Sequence, residues 1–327
     1  MRAGWIKIVL VAVLLTSLAS AVAATVFLAG LVENGDEDLP SDGIDSGNAM
    51  HAIFMDGEKY YPRLGVRNYL IMGIDKSQDS DTRGQSDFLM IFSLDLNAET
   101  YNIVYVNRDT MVEVDYYDLK GNKGGTRVEQ LALSHAYGDP FITSNRQKCD
   151  NTELSVSRLF RGMKFDGYIS MTTDIIEVMV DHVGGVEVLV EDDLTSVDPR
   201  LIKGERVMLD GALAFKFVRA RSGLEDSTNP ARMKRHEAFM KAFLEKIGDE
   251  SLTSSSVDFY EEISPMLVSN MDEAGQAELA DRIFAYEGQG SISIEGEYKM
   301  GTKFWEFYAY EESIEKILKE VFYEKAN

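Results

Sequence analysis

Short apolar runs separated by polar turns dominate the first half of the chain. Three of these runs, Tyr69–Ile74, Phe88–Leu94 and Tyr101–Val106, have the length of buried β-strands. Only the turn Asn97–Thr100 separates the second run from the third, which predicts an antiparallel pair. Charged residues stand at the ends of these runs, beginning with Asp75. Open α/β sheets bind their ligands at strand ends, so this stretch is the first candidate for a functional site.

Segments with helical periodicity follow and alternate with further strands. Asp210 has the position of an N-cap, and Asn229-Pro230 combines an N-cap with proline at the first helical position. Helices are predicted at 129–137, 152–163, 173–183, 211–218 and 229–247, and strands at 166–171 and 186–190. This alternation favours an α/β fold over an all-α or all-β fold.

The N-terminus has the pattern of a membrane anchor. Arg2 and Lys7 precede an uncharged run of 25 residues from Ile8 to Val32, and about 20 apolar residues suffice to span a bilayer. The positive charges predict a cytoplasmic N-terminus and an extracellular remainder. A cleaved signal peptide ending near Ser20–Ala24 is the alternative, but the long apolar run favours a retained anchor. We therefore expect a cytoplasmic start and anchor at residues 1–32 and a flexible extracellular linker at 33–60, which is acidic and rich in small polar residues.

The composition excludes some classes of function. The net charge of −22 disfavours nucleic acid as a partner. Cys149 is the only cysteine, so the chain forms no internal disulfide and no cysteine-rich metal site. The sequence contains no Walker A motif and no Gly-x-Ser-x-Gly, and its histidines lack zinc-ligand spacing. The many methionines and phenylalanines fit either a core or a groove for a long apolar ligand.

Basic residues cluster within 17 positions of this acidic chain. They are Arg219, Arg221, Arg232, Lys234 and Arg235. One interpretation is a solvated face with salt bridges. The other is an anion site, because the planar fork of arginine binds two phosphate oxygens at once. Several of these cations also fall in the first turns of a predicted helix, where only an anion would offset their repulsion by the helix dipole.

Two carboxylates, Asp75 and Asp87, stand at the end of one predicted strand and the start of the next. Beside phosphate-binding arginines, such a pair would hold Mg²⁺ between protein and substrate oxygens. Both residues equally fit turns or caps. An EF-hand is excluded, because Ser80 and Ser86 occupy the positions where that loop needs glycine and glutamate.

With these residues in order, the sequence resembles the LytR-CpsA-Psr family of cell-wall glycopolymer ligases. The stretch 129–139 is most similar to versions from clostridia-like Gram-positive bacteria. The blocks that carry the resemblance are Gly73–Asp75, Thr82–Asp87, Asn107–Thr110, Ala136–Gly138, Val183–Val186, Phe217–Arg221 and Arg232–Arg235. Together they span most of the chain between residues 61 and 247.

The resemblance implies an α/β domain with a central mixed β-sheet flanked by helices and an apolar tunnel for a polyprenyl chain. Its activity would be Mg²⁺- or Mn²⁺-dependent transfer of a glycopolymer from undecaprenyl pyrophosphate to peptidoglycan, forming a phosphodiester outside the cell membrane. By position Asp75 and Asp87 would hold the metal, Asp87, Arg108 and Asp109 would serve catalysis, and Asp109 would orient Arg108. The residues implied in pyrophosphate binding are Arg83, Arg108, Arg219, Arg221, Arg232, Arg235 and His236.

Two positions depart from the family pattern. Asn107 replaces a commoner proline, and His236 stands where glutamine is usual, so a neutral hydrogen bond to the substrate is either absent or pH-dependent. The catalytic domain is expected at 61–250, with residues 251–327 as a C-terminal extension packed on it. Alternatives to the ligase are hydrolysis of the same lipid pyrophosphate, and a non-enzymatic envelope-binding protein or transcriptional attenuator.

Overall fold

The computed structural model describes residues 52–75, 84–118, 120–138, 145–220, 229–247, 263, 266–302 and 304–326. The predicted anchor at residues 1–32 lies outside these ranges. None of the helices within them is long and apolar enough to cross a membrane.

The described residues form an α/β fold. Its strands are β1 Ile53–Met55, β2 Glu58–Pro62, β3 Val66–Asp75, β4 Gln85–Asp95, β5 Thr100–Tyr105, β6 Met111–Tyr117, β7 Lys123–Gln130, β8 Gly167–Thr172, β9 Val186–Leu189, β10 Arg206–Leu209, β11 Leu267–Ser269, β12 Glu287–Ser293, β13 Gly296–Met300, β14 Trp305–Ala309 and β15 Tyr323–Lys325. Its helices are α1 Leu133–Gly138, α2 Asn145–Leu159, α3 Ile175–His182, α4 Gly211–Arg219, α5 Asn229–Ile247, α6 Glu273–Ala285 and α7 Glu311–Ile317, the last continued by a π-helical turn at Leu318–Phe322.

The central sheet has six strands in the order β11-β8-β3-β4-β5-β12. It is mixed, because β3–β8 and β5–β12 pair in parallel while the other neighbours are antiparallel. The predicted α/β class, the central mixed sheet and the antiparallel pair β4–β5 are thus confirmed.

Helices cover both faces of this sheet. Along β3, Tyr69 and Ile71 point to one face and Leu70 and Met72 to the other, as the pleat requires. The first face packs against α3, α4, α5 and α6, and the second against α2 and α7. Because both faces are buried, the central strands are continuously apolar, which is why the sequence pattern located them.

The N-terminal boundary differs from the prediction. Residues 53–62, assigned mostly to the flexible linker, form the hairpin β1–β2, and β15 adds a third strand to it. Asp56 and Gly57 make the turn with φ of 52° and 75°, and an Asp-Gly pair between strands is a strong hairpin signal. The acidic composition of the preceding segment hid this signal.

The C-terminal part is an integral component of the fold. Strands β11 and β12 form the two edges of the central sheet, although both come from residues 251–327.

The helix predicted at 129–137 is wrong at its start, because Glu129 pairs with Val112 and Gln130 pairs with Met111 in the β6–β7 hairpin. The helix begins only at Leu133.

Candidate active site

A partly open cavity of about 220 Å³ lies between the sheet and helices α3, α4 and α5. Its walls are mostly apolar and include Ile71, Phe88, Met171, Ile175, Ile176, Met179, Val218, Phe239 and Met240. Four charged side chains also line it, namely Asp75, Asp87, Arg219 and Arg232. The cavity therefore suits a ligand with a long apolar part and an anionic group.

The two aspartates reach the cavity by different routes. Asp75 is the last residue of β3 and continues the row of Ile71 and Gly73 on the face that carries the cavity. Asp87 is the extra residue of a β-bulge, because Gly73 pairs with Phe88 while Ile74 pairs with Ser86. The bulge lets two consecutive residues, Asp87 and Phe88, both line the cavity, which a regular strand would forbid.

Arg108 is held in a dense polar network at the end of β5. Its Nη1 donates a hydrogen bond to Asp87 Oδ1, its Nη2 donates to Gln85 Oε1 at 2.7 Å, and its Nε lies 3.3 Å from Asp109 Oδ1. The side chain is buried, so these partners take the place of water in compensating its positive charge. The contact with Asp109 agrees with the orienting role that the resemblance implies for this residue.

The second carboxylate oxygen of Asp87 binds an arginine from a distant part of the chain. Arg232 on α5 places Nη1 3.1 Å from Asp87 Oδ2, and only 6% of the Arg232 side chain and 10% of the Asp87 side chain are exposed. Arg219, at the end of α4, donates from Nη2 to Asp75 Oδ1 at 2.7 Å. The strand half and the helix half of the site are thus joined by two ion pairs.

Arg235 and His236 both form hydrogen bonds with other protein groups in this structure. Arg235 donates from Nη2 to the Ala220 carbonyl at 2.7 Å and pairs with Asp192 at 3.1 Å. His236 touches the cavity, but its Nε2 lies 3.1 Å from the Val218 carbonyl oxygen, to which it can only donate. Arg235 thus links α5 to Asp192 and to Ala220, which follows α4, and His236 links α5 to Val218 within α4.

The pKa of His236 decides whether a contact with the substrate could change with pH, and the contact itself stays a prediction. Burial, and then the nearby charge of Arg232, lower the pKa of His236 to about 3. The ring is therefore neutral at any physiological pH. Arg83 and Arg221 lie outside the described residues.

Sequence reasoning missed several residues of the site. Gln85 binds Arg108, and the only signal for it was its position beside Asp87 in the motif Thr82–Asp87. Thr173 lines the cavity with a buried hydroxyl that has no hydrogen-bond partner. Asp192 could not be linked to Arg235 from sequence, because 43 residues separate them.

Asp75 and Asp87 supply oxygen donors of the kind that Mg²⁺ prefers, but Asp75 Oδ1 and both Asp87 oxygens contact arginines in this structure, so a metal would share or displace these contacts. The two aspartates lie on adjacent strands, line one cavity and supply only oxygen donors. Among the described residues, no group of three or more histidine, cysteine, aspartate or glutamate side chains could enclose a metal. Mg²⁺ is commonly held by one or two carboxylates together with substrate phosphate, so this pair fits an ion that binds with the substrate.

Solved structures share this fold. Over 78% of this chain and 95% of the other, it superposes on Bacillus subtilis TagV with a TM-score of 0.56 and 20% identity. A structure described as TagT bound to LI-WTA gives a TM-score of 0.58 at 18% identity, covering 78% of this chain and 88% of that one. At these identities the match establishes the fold.

Curated relatives extend the match at the level of sequence. A polyisoprenyl-teichoic acid–peptidoglycan teichoic acid transferase TagU from Bacillus mycoides is 24% identical over 73% of this chain and 72% of its own. The TagU of Oceanobacillus iheyensis is 24% identical over 80% and 77%. The model of the LytR_cpsA_psr family matches residues 47–322. This chain therefore belongs to the LytR_cpsA_psr family.

Proposed function

We propose that this protein transfers a glycopolymer from a polyprenyl-pyrophosphate carrier to peptidoglycan. The observation that carries the proposal is the cavity, whose apolar walls end in the charged group formed by Asp75, Asp87, Arg219 and Arg232. An isoprenoid chain matches the apolar walls, and a pyrophosphate matches the arginines. The relatives named as teichoic acid transferases support the same reaction class.

In this reaction an acceptor hydroxyl attacks the phosphorus that carries the glycopolymer. The bond from that phosphorus to the bridging oxygen breaks, polyprenyl phosphate leaves, and the hydroxyl proton is released as the new phosphodiester forms. Such chemistry depends on positioning and on stabilising charge at the phosphoryl oxygens. Arg108 and Arg232 are prepared for this role because Asp87 fixes both guanidinium groups.

The charges of the described site favour a cation accompanying the substrate. Arg108, Arg219 and Arg232 are balanced by Asp75, Asp87 and Asp109, with which they form ion pairs. A pyrophosphate would therefore add uncompensated negative charge, which Mg²⁺ or Mn²⁺, with Arg83 and Arg221, would offset. Asp75 and Asp87 would hold the metal, and it would supply charge stabilisation to the phosphoryl oxygens when bound.

The N-terminal anchor would keep the site outside the cell membrane, within reach of a lipid-linked donor. The pattern of residues 1–32 supports this location. The net charge of −22 argues against the alternative of a DNA-binding attenuator.

The decisive experiment incubates the full chain with a lipid-pyrophosphate glycopolymer donor, with and without soluble peptidoglycan strands. Polymer linked to the strands, abolished in Arg108→Ala, is the expected result. Phosphate release that does not depend on the strands would instead establish the hydrolase. A fully active Arg108→Ala protein would refute the assignment of this site.

A further inference from the structure

The β13–β14 hairpin carries a group of exposed apolar side chains that the core does not use. Trp305 is 56% exposed, and Met300, its partner across the hairpin, is 64% exposed. Phe304 at the tip is 64% exposed, and Tyr308 and Tyr310 are also exposed. A group of exposed apolar side chains on a solvent-accessible surface indicates binding of another molecule.

This hairpin is fastened directly to the loop that carries Arg108. The Phe307 amide donates to the Asp109 carbonyl at 3.0 Å, and the Asn107 side-chain amide donates to the Tyr298 hydroxyl at 2.7 Å. Gln130 joins the two elements, because its Nε2 lies 2.8 Å from the Trp305 carbonyl oxygen and 3.4 Å from Asp109 Oδ1. Trp305 is therefore connected to Arg108 through Gln130 and Asp109.

The geometry points to a binding surface for the acceptor glycan, formed by Trp305, Met300 and Phe304 beside the Arg108 loop. This inference rests on the proposed function, in which the acceptor must come close to the phosphorus without entering the apolar cavity. Aromatic rings present a negative face, against which the C–H groups of a sugar ring pack well. Gln130, whose side chain hydrogen-bonds to the Trp305 carbonyl, also carries an amide oxygen of the kind that accepts from sugar hydroxyl and amide groups.

The surrounding charge disfavours a lipid surface as the occupant. Residues 295–312 contain five glutamates and two lysines, so the hairpin region is acidic. Lys299 is already paired with Glu297 at 2.5 Å. Segments that bind anionic membranes carry clusters of lysine and arginine instead. A glycan strand presents no such requirement.

The hairpin also explains a role for the C-terminal part of the chain. All the site residues predicted from the sequence lie between Asp75 and His236. Stacking platforms need only exposed rings at the correct place, and the fold supplies that place by pairing Phe307 with Thr110. The side of the hairpin that carries Tyr298 and Phe307 anchors it, and Met300 and Trp305 extend the same side beyond the anchor.

The test measures glycan binding separately from transfer. In the full chain carrying Trp5→Phe, Trp305 is the only tryptophan, and its fluorescence is titrated with soluble, uncross-linked peptidoglycan strands. We expect a saturable change. By calorimetry, Trp305→Ala should raise the Kd for the strands about tenfold, while Trp305→Phe retains most of the affinity. Phe54→Ala is the matched control, because Phe54 is also an exposed aromatic residue, at 67% against 56% for Trp305, but lies on β1.

The outcomes separate this inference from the proposed function. Unchanged strand affinity in Trp305→Ala, or quenching of Trp305 by brominated lipids in vesicles, would overturn the glycan surface even if transfer proceeds. Strand binding that depends on Trp305 would support the surface even if no transfer is detected. In an active enzyme, Trp305→Ala should raise the KM for strands while the KM for the lipid donor stays constant.

Discussion

Asp87 Oδ2 and Arg232 Nη1 lie 3.1 Å apart, although 145 residues separate them in sequence. Arg108 binds the other oxygen of the same carboxylate, so Asp87 holds two buried guanidinium groups. Removing its charge would leave both arginines buried without their common partner.

The stability of the fold should depend on the charge of Asp87. Asp87→Asn should lower the free energy of unfolding by about 3–5 kcal/mol, the usual cost of breaking a buried ion pair. Transfer activity should be lost as well. Thermal unfolding followed by circular dichroism checks the stability, and a midpoint equal to that of the wild type would contradict the structural role of Asp87.

Asp75 should behave differently. Asp75 pairs with Arg219, and the two side chains are 28% and 36% exposed, respectively. Asp75→Asn should therefore change the free energy of unfolding by no more than about 1 kcal/mol. If Asp75 holds the metal, the variant should bind Mn²⁺ more weakly in electron paramagnetic resonance titrations with substrate analogue present. It should also need more Mg²⁺ for half-maximal transfer. Unaltered Mn²⁺ affinity would show that Asp75 is not a metal ligand.

Asp75 and Asp87 show which features of the site could be predicted from the sequence and which could not. The apolar runs located β3 and β4, and the order of motifs brought Asp75 and Asp87 into one hypothesis. The bulge that turns Asp87 toward the cavity was not predictable, because it depends on the register between two strands. Asp87 was expected to be only a metal ligand and catalytic residue, and its two arginine partners emerge only in three dimensions.

Long-range pairing explains the other differences. From the sequence, Arg235 and Arg232 have the same predicted role, because both lie near the start of a predicted helix. In the structure Arg232 pairs with Asp87, whereas Arg235 pairs with Asp192 and donates to the Ala220 carbonyl. The edge strand β11 has only three residues, and β12 begins with a glycine-containing sequence, so only its end at Ser291–Ser293 has the alternation of a strand. In contrast, the N-cap at Asp210 was correct, because capping is local: its side chain accepts from the Leu213 amide at 2.7 Å.

Arg108 should not tolerate replacement by lysine. Its guanidinium group contacts Asp87, Gln85 and Asp109 at once, and a lysine ammonium cannot reproduce this planar fork. Arg108→Lys should reduce kcat by about 10²-fold or more, the scale seen when a positioned electrostatic donor is lost. Steady-state kinetics with a lipid donor measure this. Activity within a few-fold of wild type would mean that positive charge alone suffices.

His236 predicts a pH dependence of stability. Its folded pKa of about 3 lies below the ordinary value of 6.5, so protons bind preferentially to the unfolded chain between these values. Stability should fall as pH drops below about 6.5, with His236 contributing at most about 1.4 kcal/mol per pH unit. His236→Gln should flatten the curve of thermal midpoint against pH from 7 to 4. Parallel curves for both proteins would show that His236 is not neutral in the fold.

The cavity predicts a dependence on the length of the donor lipid. Met179 on α3 is buried and lines the apolar wall, and Met179→Trp would fill part of the space while leaving the charged group untouched. We expect a higher KM for a long polyprenyl donor and a smaller change for a donor with one or two isoprene units, because the shorter chain occupies less of the cavity. Met179→Leu preserves the approximate volume and serves as the control. Equal effects of Met179→Trp on long and short donors would indicate that the lipid lies outside this cavity.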